Sequence, residues 1–192
     1  MKNVLIIGAS GGIAQIVTDL LLNDETINLT LFARKTNRLK SNLTSKYTVI
    51  EGDAMDKEAL KTAMRGQDIV YVNLVGDLER MTKNIVGAMQ EIGVTKIIAI
   101  SSIGIYDTPL KSVLVPYRKL ADVIEASGLD YTILRPEWFS NENEVDYETT
   151  LKDTPEKGSV ISRKSLATLI TEIIKTPEQF KQLNLGVNKP NS

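Results

Sequence analysis

Short apolar runs alternate along this chain with stretches in which apolar residues return every three or four positions. "NVLIIG" is a continuous apolar run closed by glycine, the pattern of a strand covered on both faces. From Gly11 the period changes, and Ile13, Ile16, Val17, Leu20 and Leu21 fall on one helical face. "INLTLFAR" predicts a second strand and "YTVIEGD" a third. Asp56 to Met64 predicts a short helix with an Asp near its N-cap. "DIVYVNLVG" is a fourth strand, followed by a helical stripe of Leu78, Met81, Ile85, Met89 and Ile92 that Gly93 ends. "TKIIAISS" and "LDYTILRP" are the fifth and sixth strands. Between them the pattern predicts a helix over about Pro116 to Ala126, with a proline at its first position and Ser127-Gly128 ending it. Ser162 is placed to cap a last helix carrying Leu166, Leu169, Ile170, Ile173 and Ile174, which stops before Pro177. "LNLGV" reads as a late strand.

Strands alternating with helices imply a parallel sheet with helices on both faces. Right-handed crossovers then favour an α/β, doubly wound parallel-sheet Rossmann fold of three α/β/α layers. The expected organisation is one domain over residues 1–192, with residues 136–192 supplying a small substrate-pocket part. The acidic stretch "PEWFSNENEVDYETT" breaks the pattern and reads as a loop at the sheet's C-terminal edge, where substrates usually sit. Its carboxylates Glu142, Glu144, Asp146 and Glu148 have neither helical nor metal-loop spacing, so a solvated loop is expected there and no metal site.

Composition removes whole classes of chemistry. The 192 residues contain neither cysteine nor histidine, which excludes disulfides, thiolate zinc sites, and Ser-His-Asp or Cys-His catalysis. Lys+Arg 23 against Asp+Glu 24 gives no electrostatic reason to expect nucleic acid or an anionic membrane as partner. The N-terminal apolar run is too short for a signal peptide or a membrane span, so a cytoplasmic protein is expected, monomeric or homodimeric.

The strongest chemical signal lies between the first strand and first helix, in "LIIGASGGIAQ". Gly8, Gly11 and Ala14 stand at G-x-x-G-x-x-A spacing, and Gly8, Ser10, Gly11, Gly12 and Ile13 form the loop. Gly8 permits a tight turn, Gly11 and Gly12 let backbone N–H groups approach a phosphate, and Ala14 keeps the helix close to the strand. The alternative is a glycine-rich turn with no ligand; a place after the first of six strand-helix units argues for a dinucleotide. No Gly-Lys-Ser/Thr follows, so it is not a Walker loop. Where NAD-preferring sites carry an acid, the second strand ends in Arg34, with Lys35 and Arg38 close by. A guanidinium there suits a 2′-phosphate, hence NADP(H), although a solvated basic patch would look the same. Asp53 and Ala54 after the third strand are placed to meet adenine or simply to form a turn. Asn73 and Gly76 end the fourth strand beside the first, at the crevice expected for the riboses, with a plain turn the alternative for Gly76.

Together "GASGGIA", "FAR", "GDA", "ISSIGIY" and "ADVIEASGLDYTILRP" resemble the atypical short-chain dehydrogenase/reductase superfamily, in particular its NmrA-like and biliverdin-reductase-B-like NAD(P)H-binding members. The resemblance covers nearly the whole chain and implies a Rossmann fold holding NADP(H). Active members of the superfamily usually carry a Ser and then Tyr-x-x-x-Lys on the next helix. Ser102 matches that serine, with Ser101 beside it at the cofactor, and Pro136, Glu137 and Trp138 would wall the nicotinamide pocket. For Trp138 a core position is an equal alternative. The Tyr–Lys pair departs from the pattern. Tyr117 and Lys119 are two residues apart, about 160° around a helix, against about 40° for a spacing of four. Aligned on "ADVIEASGLDYTILRP", the lysine position falls on Arg118, which could still bind the nicotinamide ribose, and the tyrosine position on Leu114. Tyr106 and Tyr117 are the nearby phenols, and Ser102 and Tyr117 are the candidate catalytic residues. The expected function is NADPH-dependent reduction of a small carbonyl, quinone or flavin-like acceptor; the alternative is a non-catalytic NADP(H)-sensing regulator.

Overall fold

The computed structural model describes all 192 residues. In chain order it contains β1 (Lys2–Ile7), α1 (Gly12–Leu20), β2 (Ile27–Ala33), α2 (Ser41–Thr44), β3 (Thr48–Glu51), α3 (Lys57–Met64), β4 (Ile69–Val72), α4 (Leu78–Ile92) and β5 (Lys96–Ile100). There follow α5 (Val115–Glu125), β6 (Asp130–Pro136), β7 (Trp138–Ser140), β8 (Glu148–Leu151), β9 (Val160–Ser162), α6 (Arg163–Lys175) and β10 (Leu183–Asn188). The main sheet has the order β3-β2-β1-β4-β5-β6-β10-β8. The chain winds outward from β1 in one direction and from β4 in the other, so the switch point lies between them.

Alternation along each inner strand divides its side chains between two cores. Val4 and Ile6 of β1 join α1, α2 and α6 on one side, while Leu5 and Ile7 join α3, α4 and α5 on the other. Ile98 and Ile97 of β5 divide in the same way. This is the three-layer α/β/α arrangement expected. No helix is long and apolar enough to cross a membrane.

One edge adds to the expected topology. β8 pairs antiparallel with β10, from Leu185↔Leu151 to Asn188↔Glu148, so the sheet is mixed. The stretch read as irregular therefore begins with β7 and ends with β8. β7 pairs with β9, three residues each, in a small second sheet. Strands this short carry no periodicity to read. The acidic residues between them are fastened as well: the Glu144 carbonyl accepts from Ser162 Oγ at 3.0 Å, and Lys189 pairs with the Glu144 carboxylate at 2.9 Å. Ser162 is the expected N-cap of α6.

At the β8 edge the α5 side of the sheet is closed by polar groups. Leu185 and Val187 of β10 face the α6 core, which turns Asn184 to the other side. There Arg135 of β6 is only 1% exposed. Its Nε donates to Glu156 Oε1 at 2.9 Å and its Nη1 donates to Asn184 Oδ1. Asn184 Nδ2 donates to the Tyr106 hydroxyl at 2.8 Å and to Glu125 Oε1 at 2.9 Å, and Lys152 pairs with Glu125 at 2.8 Å. The Tyr106 ring lies under three cations, with Arg118 and Lys152 at 4.8 Å and Arg135 at 5.4 Å from its centroid. Burying a guanidinium is tolerable because a carboxylate and an amide meet it. Glu156→Ala would leave that charge uncompensated, and a loss of about 3–5 kcal/mol is expected. Urea denaturation should show this as a lower midpoint with an unchanged slope.

Candidate functional site

The turn leaving β1 sets the geometry of the site. Gly8 has φ +83°, a conformation that costs other residues strain, and a Cβ there would overlap the Asn73 carbonyl oxygen. The bare backbone lets β4 approach, and Asn73 N–H donates to Ile7 O at 2.9 Å. Gly8 and Ala9 N–H both donate to Phe32 O, at 3.0 and 3.2 Å, which holds the loop to the end of β2. Gly11 is the N-cap of α1 and no side chain caps the helix, so its leading N–H groups are left as donors for an anion. A Cβ on Gly11 would stand 2.6 Å from Asn73 Nδ2, whereas a Cβ on Gly12 would meet nothing within 4 Å. These are the properties a pyrophosphate cradle needs.

A cavity of about 410 Å³ opens beside this loop. It brings together Gly8, Ser10, Gly11, Arg34, Asp53, Ala54 and Asn73 from the sequence expectations. Lys35 and Arg38 also line it. Arg34, Lys35 and Arg38 are exposed, and none takes part in an ion pair. Asp53 Oδ1 accepts from Met55 N–H at 2.9 Å, so the carboxylate shapes its own turn while lining the cavity. Asn84 of α4, which carried no sequence signal, pins that turn by donating to Ala54 O at 3.2 Å and Met55 O at 3.0 Å.

The remaining expected residues lie outside this cavity. Ile13 is buried in the α1 side of the core. Gly76 has φ +110° and turns the chain toward α4. Ser101 is buried, and its Oγ donates to Tyr117 O at 3.0 Å. Ser102 is half-exposed between two anchored neighbours: Ser101 N–H donates to Leu134 O at 2.7 Å and Ile103 N–H to Pro136 O at 3.2 Å. Pro136 itself is buried. Tyr117 packs half-buried against the α5 side of the core. Lys119 is exposed while Tyr117 packs against the core, so the two side chains diverge. Arg118 is turned to Asp122 Oδ1 at 2.7 Å, Ile105 O at 3.3 Å and the Tyr106 ring. Burial, with Glu125 nearby, raises the pKa of Tyr106. Trp138 is 80% exposed, which corrects the core alternative: it sits on the three-residue β7, where Phe139 is exposed as well.

A family model described as NAD(P)H-binding matches residues 8–177, most of the chain. The chain belongs to this NAD(P)H-binding family. A Rossmann-fold NAD(P)-binding family protein from Shigella flexneri is 47% identical, with TM-score 0.91 over 100% of this chain and 95% of that one. A short-chain dehydrogenase/reductase from Veillonella parvula, solved in complex with NADP, is 26% identical, with TM-score 0.90 over 99% of this chain and 95% of that one. An isoflavone reductase homologue of Nicotiana glauca is 25% identical over 94% of this chain, which spans only 66% of that relative's length.

In this NAD(P)H-binding protein, four strand spacings separate the end of β2 from the end of β6, about 19 Å at about 4.8 Å each. Arg34 thus stands at one end of this span, and Ser102 and Pro136 at the other. Beyond Pro136 stands Glu137, half-buried, whose carboxyl pKa is raised, first by burial and then by nearby Glu156, against an opposing backbone N–H of Trp138. Gly11→Val should force the Asn73 side chain aside and fill the cradle. The expected result is unchanged circular dichroism with NADPH binding weakened by more than about tenfold, about 1.4 kcal/mol, in a fluorescence titration.

Proposed function

We propose that this protein is a single-domain NADPH-dependent reductase of a small carbonyl, quinone or flavin-like acceptor. The observation carrying the cofactor choice is the cluster of Arg34, Lys35 and Arg38 at the mouth of the cavity, three cations without carboxylate partners. A 2′-phosphate would supply the missing counter-charge, and a guanidinium meets it through paired hydrogen bonds. The NADP complex of the Veillonella relative supports the same choice.

When bound, NADPH supplies the hydride. The chain's residues then have separate tasks. Gly8, Ser10, Gly11, Gly12 and the backbone at Ile13 receive the pyrophosphate. Asp53 and Ala54 border the adenine, and Asn73 and Gly76 the riboses. Ser102 offers a hydroxyl to the acceptor oxygen, Tyr117 lines the pocket, and residues 136–192 supply its outer part. The protein works as a monomer or homodimer in the cytoplasm.

One observation favours a second reading, an NADP(H)-sensing regulator without turnover. Arg118 is turned toward Asp122, and exposed Lys119 lies two residues from half-buried Tyr117 on another helix face, so the usual Tyr–Lys pair is missing. An NADPH oxidation screen over quinones, flavins and aldehydes, run beside a binding titration, separates the two. Tight binding without oxidation of NADPH would select the regulator.

Arg34→Ala should remove most of the preference for NADP(H) while leaving NAD(H) affinity nearly unchanged. A charge-assisted contact to phosphate is worth about 1.5–3 kcal/mol, or roughly 10- to 150-fold in affinity. Calorimetry on the wild type and the variant reads this directly, and equal wild-type affinity for the two cofactors would refute it.

A further inference from the structure

The reductase reading lacks the usual Tyr-x-x-x-Lys proton donor. Lys119 is exposed and two residues from Tyr117, on another face of α5. The Tyr106 hydroxyl is held by Asn184 and packed under three cations at the β8 edge. Arg118 is engaged by Asp122 and cannot release a proton at ordinary pH. One acidic group stands at the end of β6, beside the segment that carries Ser102. Glu137 is the first residue past β6, and its backbone N–H donates to Val187 O at 3.1 Å, which fixes where the side chain leaves the sheet edge. The segment carrying Ser102 runs alongside, joined by the Ile103 N–H to Pro136 O bond. The next residue, Trp138, exposes its indole as a flat surface.

We propose that Glu137 is the proton donor to the acceptor, in place of the absent Tyr-x-x-x-Lys pair. This rests on the reductase reading above. The hydride forms the new C–H bond at the acceptor carbonyl carbon. The C=O π pair moves to oxygen and takes the proton from the Glu137 carboxyl. NADP⁺ and the alcohol result, and the half-exposed carboxylate regains a proton from water.

The surroundings keep this carboxyl protonated further up the pH scale than an ordinary one. Glu156, on the segment between β8 and β9, repels its charged form. Arg135, two residues back on β6, is paired with Glu156 and Asn184. Lys189, just past β10, is paired with Glu144. Only the Trp138 N–H favours the ionised form. The donor is active when protonated, so turnover should fall as pH rises through the raised pKa of Glu137.

The test uses the whole chain, with NADPH and a panel of quinones, flavins and aldehydes. Glu137→Gln keeps the shape but carries no acidic proton. The expected result is a kcat lowered by roughly 10²- to 10⁴-fold, loss of the alkaline limb of the pH profile, and unchanged NADPH affinity. Glu137→Asp should recover part of the rate and the limb. A second readout needs no turnover: a carbon-detected NMR titration of the Glu137 carboxyl, whose midpoint should move when NADP⁺ is added. A midpoint indifferent to NADP⁺, or a Gln variant that keeps the wild-type rate and pH profile, overturns the assignment of Glu137 and leaves the reductase reading intact. A wild-type protein that binds NADPH and reduces no acceptor overturns both.

Discussion

Each inner strand of the sheet is covered on both faces, and that constraint decides where polar chemistry can stand. Leu5 and Ile6, neighbours on β1, belong to different cores, so neither side chain is free for a ligand. Polar groups with work to do are driven to the strand ends. There the backbone is the first resource, because the helix that follows β1 begins without a capping side chain. Gly8 makes this arrangement possible: without a Cβ it turns left-handed against Asn73, and β1 and β4 close on each other just below the crevice they leave at their ends.

The inner half of the molecule was legible in the sequence because its local signals agree. Apolar runs, helical periods, the glycine loop and the basic end of β2 all specify one topology, and the cavity gathers Gly8, Gly11, Arg34, Asp53 and Asn73 as that topology requires. The outer edge was not legible. β7, β8 and β9 are three to four residues long, too short for alternation to register. Arg135 sits inside a strand pattern as a single charge, and its partners Glu156 and Asn184 lie 21 and 49 residues away. Pairing over such distances has no local trace. Trp138 misled for the opposite reason: a lone tryptophan after a buried strand invites a core assignment, yet the residue is 80% exposed.

Ser101 and Ser102 mark the limit of reading by motif. They are adjacent and chemically identical, but strand geometry turns one to the Tyr117 carbonyl and leaves the other half-exposed. Residue type gives the functional group; only the backbone on either side decides whether that group is already engaged.

A formal net charge of −1 conceals how unevenly charge is laid out. Arg34, Lys35 and Arg38 stand together at the end of β2, while the stretch from Glu137 to Glu148 carries five acids and no lysine or arginine. The cations at the end of β2 stand without carboxylate partners, whereas Glu144 of the acidic stretch is paired with Lys189. At physiological ionic strength the field of those cations reaches only about 8 Å, too short to collect anions from solution. It is long enough to turn one that has already arrived. An anion that had already reached the cavity mouth would be turned with its most charged end toward β2.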